Sequence, residues 1–233
     1  MEKHFICLAN SYKHGGRCIG GIEVILENGI PVKLAHKKAN KRILHKWIRP
    51  VCQDTDAIPN EEALCIKPFD LIKLTGYTEC PENAQQENCF YSTMEVTKSY
   101  DCNKQLELLN NISTFYNNYW IFGNKGKAVH PDKYIELDHS LILIKPMNVK
   151  FKLEPRPDTG ILRPRVEFQL QDFNNITTTY DFPVTDPIFC QIVENDIEKA
   201  NSFQNYYFTV SLGVEHDGWH SKLVAQVFCF NNE

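Results

Sequence analysis

The chain has 233 residues, of which 42% are hydrophobic and 23% charged, with a net charge of -4, a balance that excludes a disordered polymer and is ordinary for a globular protein. No apolar run approaches the ~20 residues of a membrane-spanning helix. The opening MEKHFICLAN lacks the basic and long apolar regions of a secretion signal, so a cytoplasmic protein without a membrane partner is expected.

In chain order, KHFICLAN predicts a first strand and GRCIGGIEVIL a second. Between them, LANSYKHGGRCIGG at 8–21 places Asn10, Ser11, Lys13, Gly15, Gly16 and Arg17 around a glycine turn. Gly15 and Gly16 can supply positive φ, so 8–12 and 17–22 are expected to pair as a hairpin. Backbone N–H groups of such a turn, beside Lys13 and Arg17, make an anion cradle; the alternative is a plain tight turn. Cys18 with His14 as its base is the one nucleophile pairing the loop offers.

Residues 1–50 hold ten Lys and Arg against three Glu, and the rest of the chain is correspondingly acidic. A basic pole of this kind is the electrostatic footprint of a protein that meets phosphates, although KLAHKKANKRILHK at 33–46 also reads as a solvated face or hairpin. In KWIRP, Trp47 and Arg49 fall on one side of an extended segment with Ile48 on the other. That pair can stack a base and meet a phosphate, or form a half-buried rim. FDLIKLTGY predicts another strand, and in QQEN the side chains of Gln86, Glu87 and Asn88 either read base edges or cap a loop. NKQLELLNNISTFYNNYW predicts a helix over 103–120.

The second half has the shorter periods of a β domain. MNVKFKLE is a strand, 163–172 and 176–183 form a hairpin about Asn174-Asn175, and PIFCQIVENDIEKANSF predicts one helix with Asp186 as N-cap and Pro187 at its first position. Strands resume at 206–214 and 221–230, joined by a turn in EHDGW whose Trp219 is expected in the core. Five strands with a helix between the third and fourth is the order of an OB-fold, a small, partly open barrel.

Nine cysteines, without a CxxC pair and mostly beside apolar residues, read as core thiols of a reducing compartment. No structural metal and no cofactor are expected.

LANSYKHGGRCIGG, WIRPV at 47–51, QQEN at 85–88, VTDP at 184–187, and YFTVSLGV with KLVAQVF follow one another in an order that resembles the dual OB-containing domain proteins of bacteria. The resemblance spans nearly the whole chain, with a basic insertion between Gly21 and Trp47. It implies two tandem OB-like barrels, a mostly β fold with a few helices, and a tie to nucleic-acid transactions in a defence or mobile-element setting. The expected domains are 1–140, a barrel carrying the basic insertion and helix, and 141–233, a barrel of the β-β-β-α-β-β order. The expected partner is single-stranded nucleic acid or a nucleotide, bound without catalysis. The alternatives are an enzyme acting on a nucleotide or nucleic-acid end through the 10–18 loop, and an adaptor that docks a protein.

Overall fold

The computed structural model describes residues 1–39, 42–114, 120–134, 138–156, 159–172 and 174–231. The protein is mostly β, and it divides into two compact units: Met1–Leu108 with a segment that ends at Leu141, and Leu109–Tyr134 with Ile142–Glu233.

In the first unit β1 (Lys3–Lys13) and β2 (Gly16–Glu27) form the expected hairpin, followed by β3 (Ile30–Leu34). The basic insertion folds into the small hairpin of β4 (His36–Ala39) and β5 (Arg42–His45), and β6 (Trp47–Pro50) follows it. A single helical turn, α1 (Asn60–Ala63), precedes β7 (Asp70–Thr75). After β8 (Thr78–Glu79) and β9 (Asn88–Phe90), β10 (Thr93–Ser99) returns along β7.

The strand path β3-β2-β1-β7-β10 is five strands with the helical turn between the third and fourth in sequence, and β6, β9 and β8 extend the sheet beside β2. β1 pairs with β2 along most of its length and with β7 through Lys3–Ile6, so both its edges are covered and Phe5 through Ala9 are buried. Gly21 marks the tightest point. A Cβ there would fall inside van der Waals contact of the Ile6 carbonyl and the Phe5 ring, so only glycine lets β2 lie so close to β1.

The second unit repeats this path. It begins within α2 (Gln105–Ser113), which covers the first part of the helix expected at 103–120; 115–119 lie outside the described residues. β11 (Ala128–Val129) and the turn α3 (Pro131–Tyr134) come next. β12 (Leu141–Ile144) and β13 (Met147–Pro155) are separated by Lys145-Pro146, where proline cannot donate to a ladder. β14 (Leu162–Gln171) and β15 (Thr177–Pro183) form the expected hairpin, with Asn175 at φ 61°. β16 (Asn205–His216) and β17 (Trp219–Phe230) form the last hairpin.

Pairing runs β15-β14-β13 on one side of the proline and β12-β16-β17 on the other. The path meets itself where Val184 bridges Val224 in parallel and the Thr185 N–H donates to the Val224 carbonyl at 2.9 Å. Both units therefore have OB-like order, with the first strand of each shared between two neighbours.

The one helix expected after Asp186 is two, α4 (Pro187–Asn195) and α5 (Ile197–Ser202). Asp196 leaves helical geometry and its carboxylate accepts the Lys199 N–H, so it caps a second helix. α4 sets Phe189 against Phe151 with ring centroids 4.6 Å apart, and Phe151, Phe168 and Phe208 continue the cluster inward. Each such ring contributes about 1.5–3 kcal/mol by leaving water.

Candidate functional site

The β1–β2 hairpin has a two-residue turn, His14-Gly15, with Lys13 opposite Gly16 and Tyr12 opposite Arg17. Gly15 takes φ 84°, as expected, but Gly16 is needed for a different reason: a Cβ would collide with the Ile58 carbonyl. That close approach is locked by reciprocal bonds of 2.9 Å between the Arg17 and Ile58 backbones. The register also sets Cys18 opposite Ser11, within the strand rather than at the turn that holds His14.

At the tip, the Arg17 guanidinium stands 4.5 Å from the centre of the Tyr12 ring, and its Nε donates to the Asn60 side chain at 3.3 Å. Tyr12 is 50% exposed. Lys13 reaches the Asp56 carbonyl at 2.7 Å, and burial lowers the pKa of its ammonium. An accessible ring and a guanidinium held over it thus meet at the hairpin tip, a combination that can receive a base and its phosphate, while Lys13, next to Tyr12 in the strand, turns to the opposite face of the hairpin.

The remaining sequence candidates serve other roles. Asn10 donates from Nδ2 to the Ala63 and Ile66 carbonyls at 2.9 and 2.8 Å, and so anchors the loop beyond α1. Ser11 is buried and its hydroxyl faces the Cys18 carbonyl. Trp47 is only 3% exposed and Arg49 1%, which corrects the expectation of a stacking platform with a phosphate contact: β6 has β2 and β9 on its two edges, and all four of its residues are buried.

Arg49 pairs with Glu87 at 3.2 Å and donates to Ser140 Oγ at 2.8 Å. Glu87 in turn accepts from the Ser140 N–H at 3.1 Å and from its hydroxyl. Asn88 is buried and donates to the Gln85 side chain at 3.2 Å, so Glu87 and Asn88 build the loop rather than read bases. Gln86 stays exposed and donates to the Asn83 carbonyl at 2.7 Å.

Three features escape the sequence. Tyr12 enters the candidate site because a two-residue turn puts it directly opposite Arg17, a relation readable once the turn length is known. Trp219 is 48% exposed at the β16–β17 turn rather than in the core, and Trp120 is 49% exposed. Lys222 is fully buried, and its ammonium donates to the Ile121 and Asn124 carbonyls at 2.7 and 2.8 Å and to Asn124 Oδ1 at 3.0 Å; burial lowers its pKa to about 7. Only the alternation of β17 hints at it, since inward His220 and Lys222 flank outward Ser221.

All nine cysteines are free thiols, and burial pushes Cys7, Cys89 and Cys190 up to about 12, well away from nucleophilic character. Among the described residues no group of three His, Cys, Asp or Glu side chains is placed to hold a metal ion, and no helix is long and apolar enough to cross a membrane.

No curated protein matches the chain. Among solved structures, the chain is similar over its whole length to a replication protein A heterotrimer bound to ssDNA, at 6% identity and a TM-score of 0.36, and spans 49% of that chain. It is also similar to the single-stranded DNA binding protein from Thermus aquaticus, in a deletion mutant, at 8% identity and a TM-score of 0.25, over 100% of this chain and 94% of that one. The family model for the dual OB-containing domain matches residues 3–227. With two strand paths of OB-like order and a match over nearly its whole length, the protein belongs to the dual OB-containing domain family.

Proposed function

We propose that the protein binds single-stranded nucleic acid or a nucleotide, without catalysis, and that the tip of the β1–β2 hairpin is a contact point. The observation that carries this reading is the half-exposed Tyr12 ring beneath the Arg17 guanidinium. Stacking on such a ring tolerates any base, and the cation beside it meets the phosphate that follows. The basic excess of residues 1–50 supports the same reading by attracting a polyanion to this unit. Nine free thiols support a reducing, cytoplasmic setting.

The test is fluorescence anisotropy of labelled single-stranded DNA, single-stranded RNA and duplex at low and moderate salt. Wild type is expected to bind the single strands, with Tyr12→Ala and Arg17→Ala each weaker by about tenfold, in line with ~1–3 kcal/mol per stacked base. Trp47→Phe, at a buried position, is expected to bind as wild type. Absence of binding to every strand and to free nucleotides at low salt would overturn the proposal.

A further inference from the structure

The second unit carries a surface of its own that the hairpin tip does not include. The segment 120–130 is laid along the start of β17 and tied to it at both ends. At one end Lys222 holds the Ile121 and Asn124 carbonyls; at the other Ala128 and Val129 pair with Ser221 and His220. The two-residue alternation of the pair turns Val129, His220 and Lys222 inward and leaves Trp219 and Ser221 outward.

His130 comes to lie against Trp219, edge to face, with ring centroids 4.9 Å apart. Lys125 stands 5.2 Å from the centre of the Trp120 ring, and the Lys127 side chain is 68% exposed. Two half-exposed indoles, each with a cationic or imidazole neighbour, therefore lie at the two ends of the tied segment. The other charged groups there are Asp132 beside His130, Asp181 beside Lys127, and Glu215, His216 and Asp217 on the β16–β17 turn.

We infer that this surface, formed by Trp120, Lys125, Lys127, His130 and Trp219, is a second contact for single-stranded nucleic acid, which binds by stacking unpaired bases on the two indoles. The inference rests on the nucleic-acid reading of the protein. It commits to bases rather than to a polyanion in general because Asp132 and Asp181 offset much of the local positive charge, while both indoles stay half exposed. Stacking on an aromatic is tolerant of base identity and needs single strands, whose base faces are free. A duplex presents only its edges and phosphates.

The three tryptophans make the test direct, because Trp47 is buried while Trp120 and Trp219 are half exposed. The full chain is titrated with oligothymidylate and with oligouridylate, following both anisotropy of the labelled strand and intrinsic fluorescence. The expected result is binding with quenching in wild type, and affinity at least tenfold weaker in Trp120→Ala/Trp219→Ala. Trp120→Phe/Trp219→Phe, which keeps two stacking rings and serves as the folding control, is expected to bind within a few-fold of wild type with the quench abolished.

A double alanine variant that binds both strands as wild type does overturns this inference and leaves the proposed function standing. Failure of wild type to bind either strand overturns this inference, and overturns the proposed function as well when free nucleotides and the other strands also fail to bind at low salt.

Discussion

At the scale of single residues, the chain keeps its charges in arranged partnerships. Arg49 and Glu87 are both almost wholly buried and share Ser140. Removing one partner of such a pair leaves an uncompensated charge in a poorly solvated site, which costs about 3–5 kcal/mol, whereas replacing both by apolar groups of similar volume is often close to neutral. Glu87→Gln is therefore expected to lower stability by several kcal/mol in denaturant unfolding, and Arg49→Met/Glu87→Leu to be more stable than either single replacement. Additive losses would contradict a coupled pair.

His45 provides a pH-dependent counterpart. Burial, with the His36 ring tilted against it at 4.6 Å, pushes its pKa down to about 4. The unfolded chain binds a proton near the ordinary value of 6.5, so this residue's contribution to stability is full above that pH and declines as pH falls from 6.5 toward 4. Thermal melts at pH 7 and pH 5 are expected to show a smaller difference in His45→Leu than in wild type.

At the scale of elements, local sequence patterns and long-range contacts have separable effects. Asp186 is legible as an N-cap because Asp before Pro at a period change is a helix start, and its Oδ1 does accept the Ile188 and Phe189 N–H groups at 2.9 and 3.1 Å. Its other oxygen is not legible: it takes the Val227 N–H at 3.0 Å and the Gln226 side chain, which binds the start of α4 to β17. Asp186→Ala is thus expected to cost more than the ~1 kcal/mol typical of an N-cap, a difference measurable against Asp196→Ala, whose carboxylate caps α5 alone.

The hairpins at 162–183 and around Asp217-Gly218 follow from turn chemistry, since Asn175, Asp217 and Gly218 all take positive φ. The misplacement of Trp219 has the opposite origin. A tryptophan after a tight turn lies on whichever face the pairing register assigns, and the β16–β17 register sets Trp219 opposite His216, on the face away from buried His220 and Lys222.

At the scale of the whole molecule, positive charge is concentrated in the first 50 residues, and the stacking surface of the second unit lies outside them. Binding of a single strand should accordingly combine a salt-sensitive and a salt-tolerant part. Each phosphate contact released contributes a slope of about -0.7 in log affinity against log salt for single strands. Arg17→Ala is expected to flatten that slope by roughly one contact, and Trp120→Ala to shift the line without changing its slope, as read from anisotropy titrations between low and moderate salt. Equal slopes for wild type and Arg17→Ala would remove Arg17 from the phosphate contacts.

The sequence by itself determined the β-rich architecture, the hairpin–helix–hairpin order of 162–230, the pairing of the first two strands about a turn that contains Gly15 and the cap at Asp186, because these depend on periodicity and on the φ preferences of a few residues. Only the tertiary structure decided which polar residues are free to meet a ligand. Trp47, Arg49, Glu87 and Asn88 look like a binding set in one dimension, yet β6 is an interior strand with β9 beside it, and its charge is consumed by Glu87 and Ser140. Tyr12, Trp120 and Trp219 look like ordinary apolar residues, yet their places at two hairpin tips and in the segment before β11 leave them half exposed. The physical reason is that strand alternation specifies two faces without specifying which neighbours cover them, and burial is set by those neighbours.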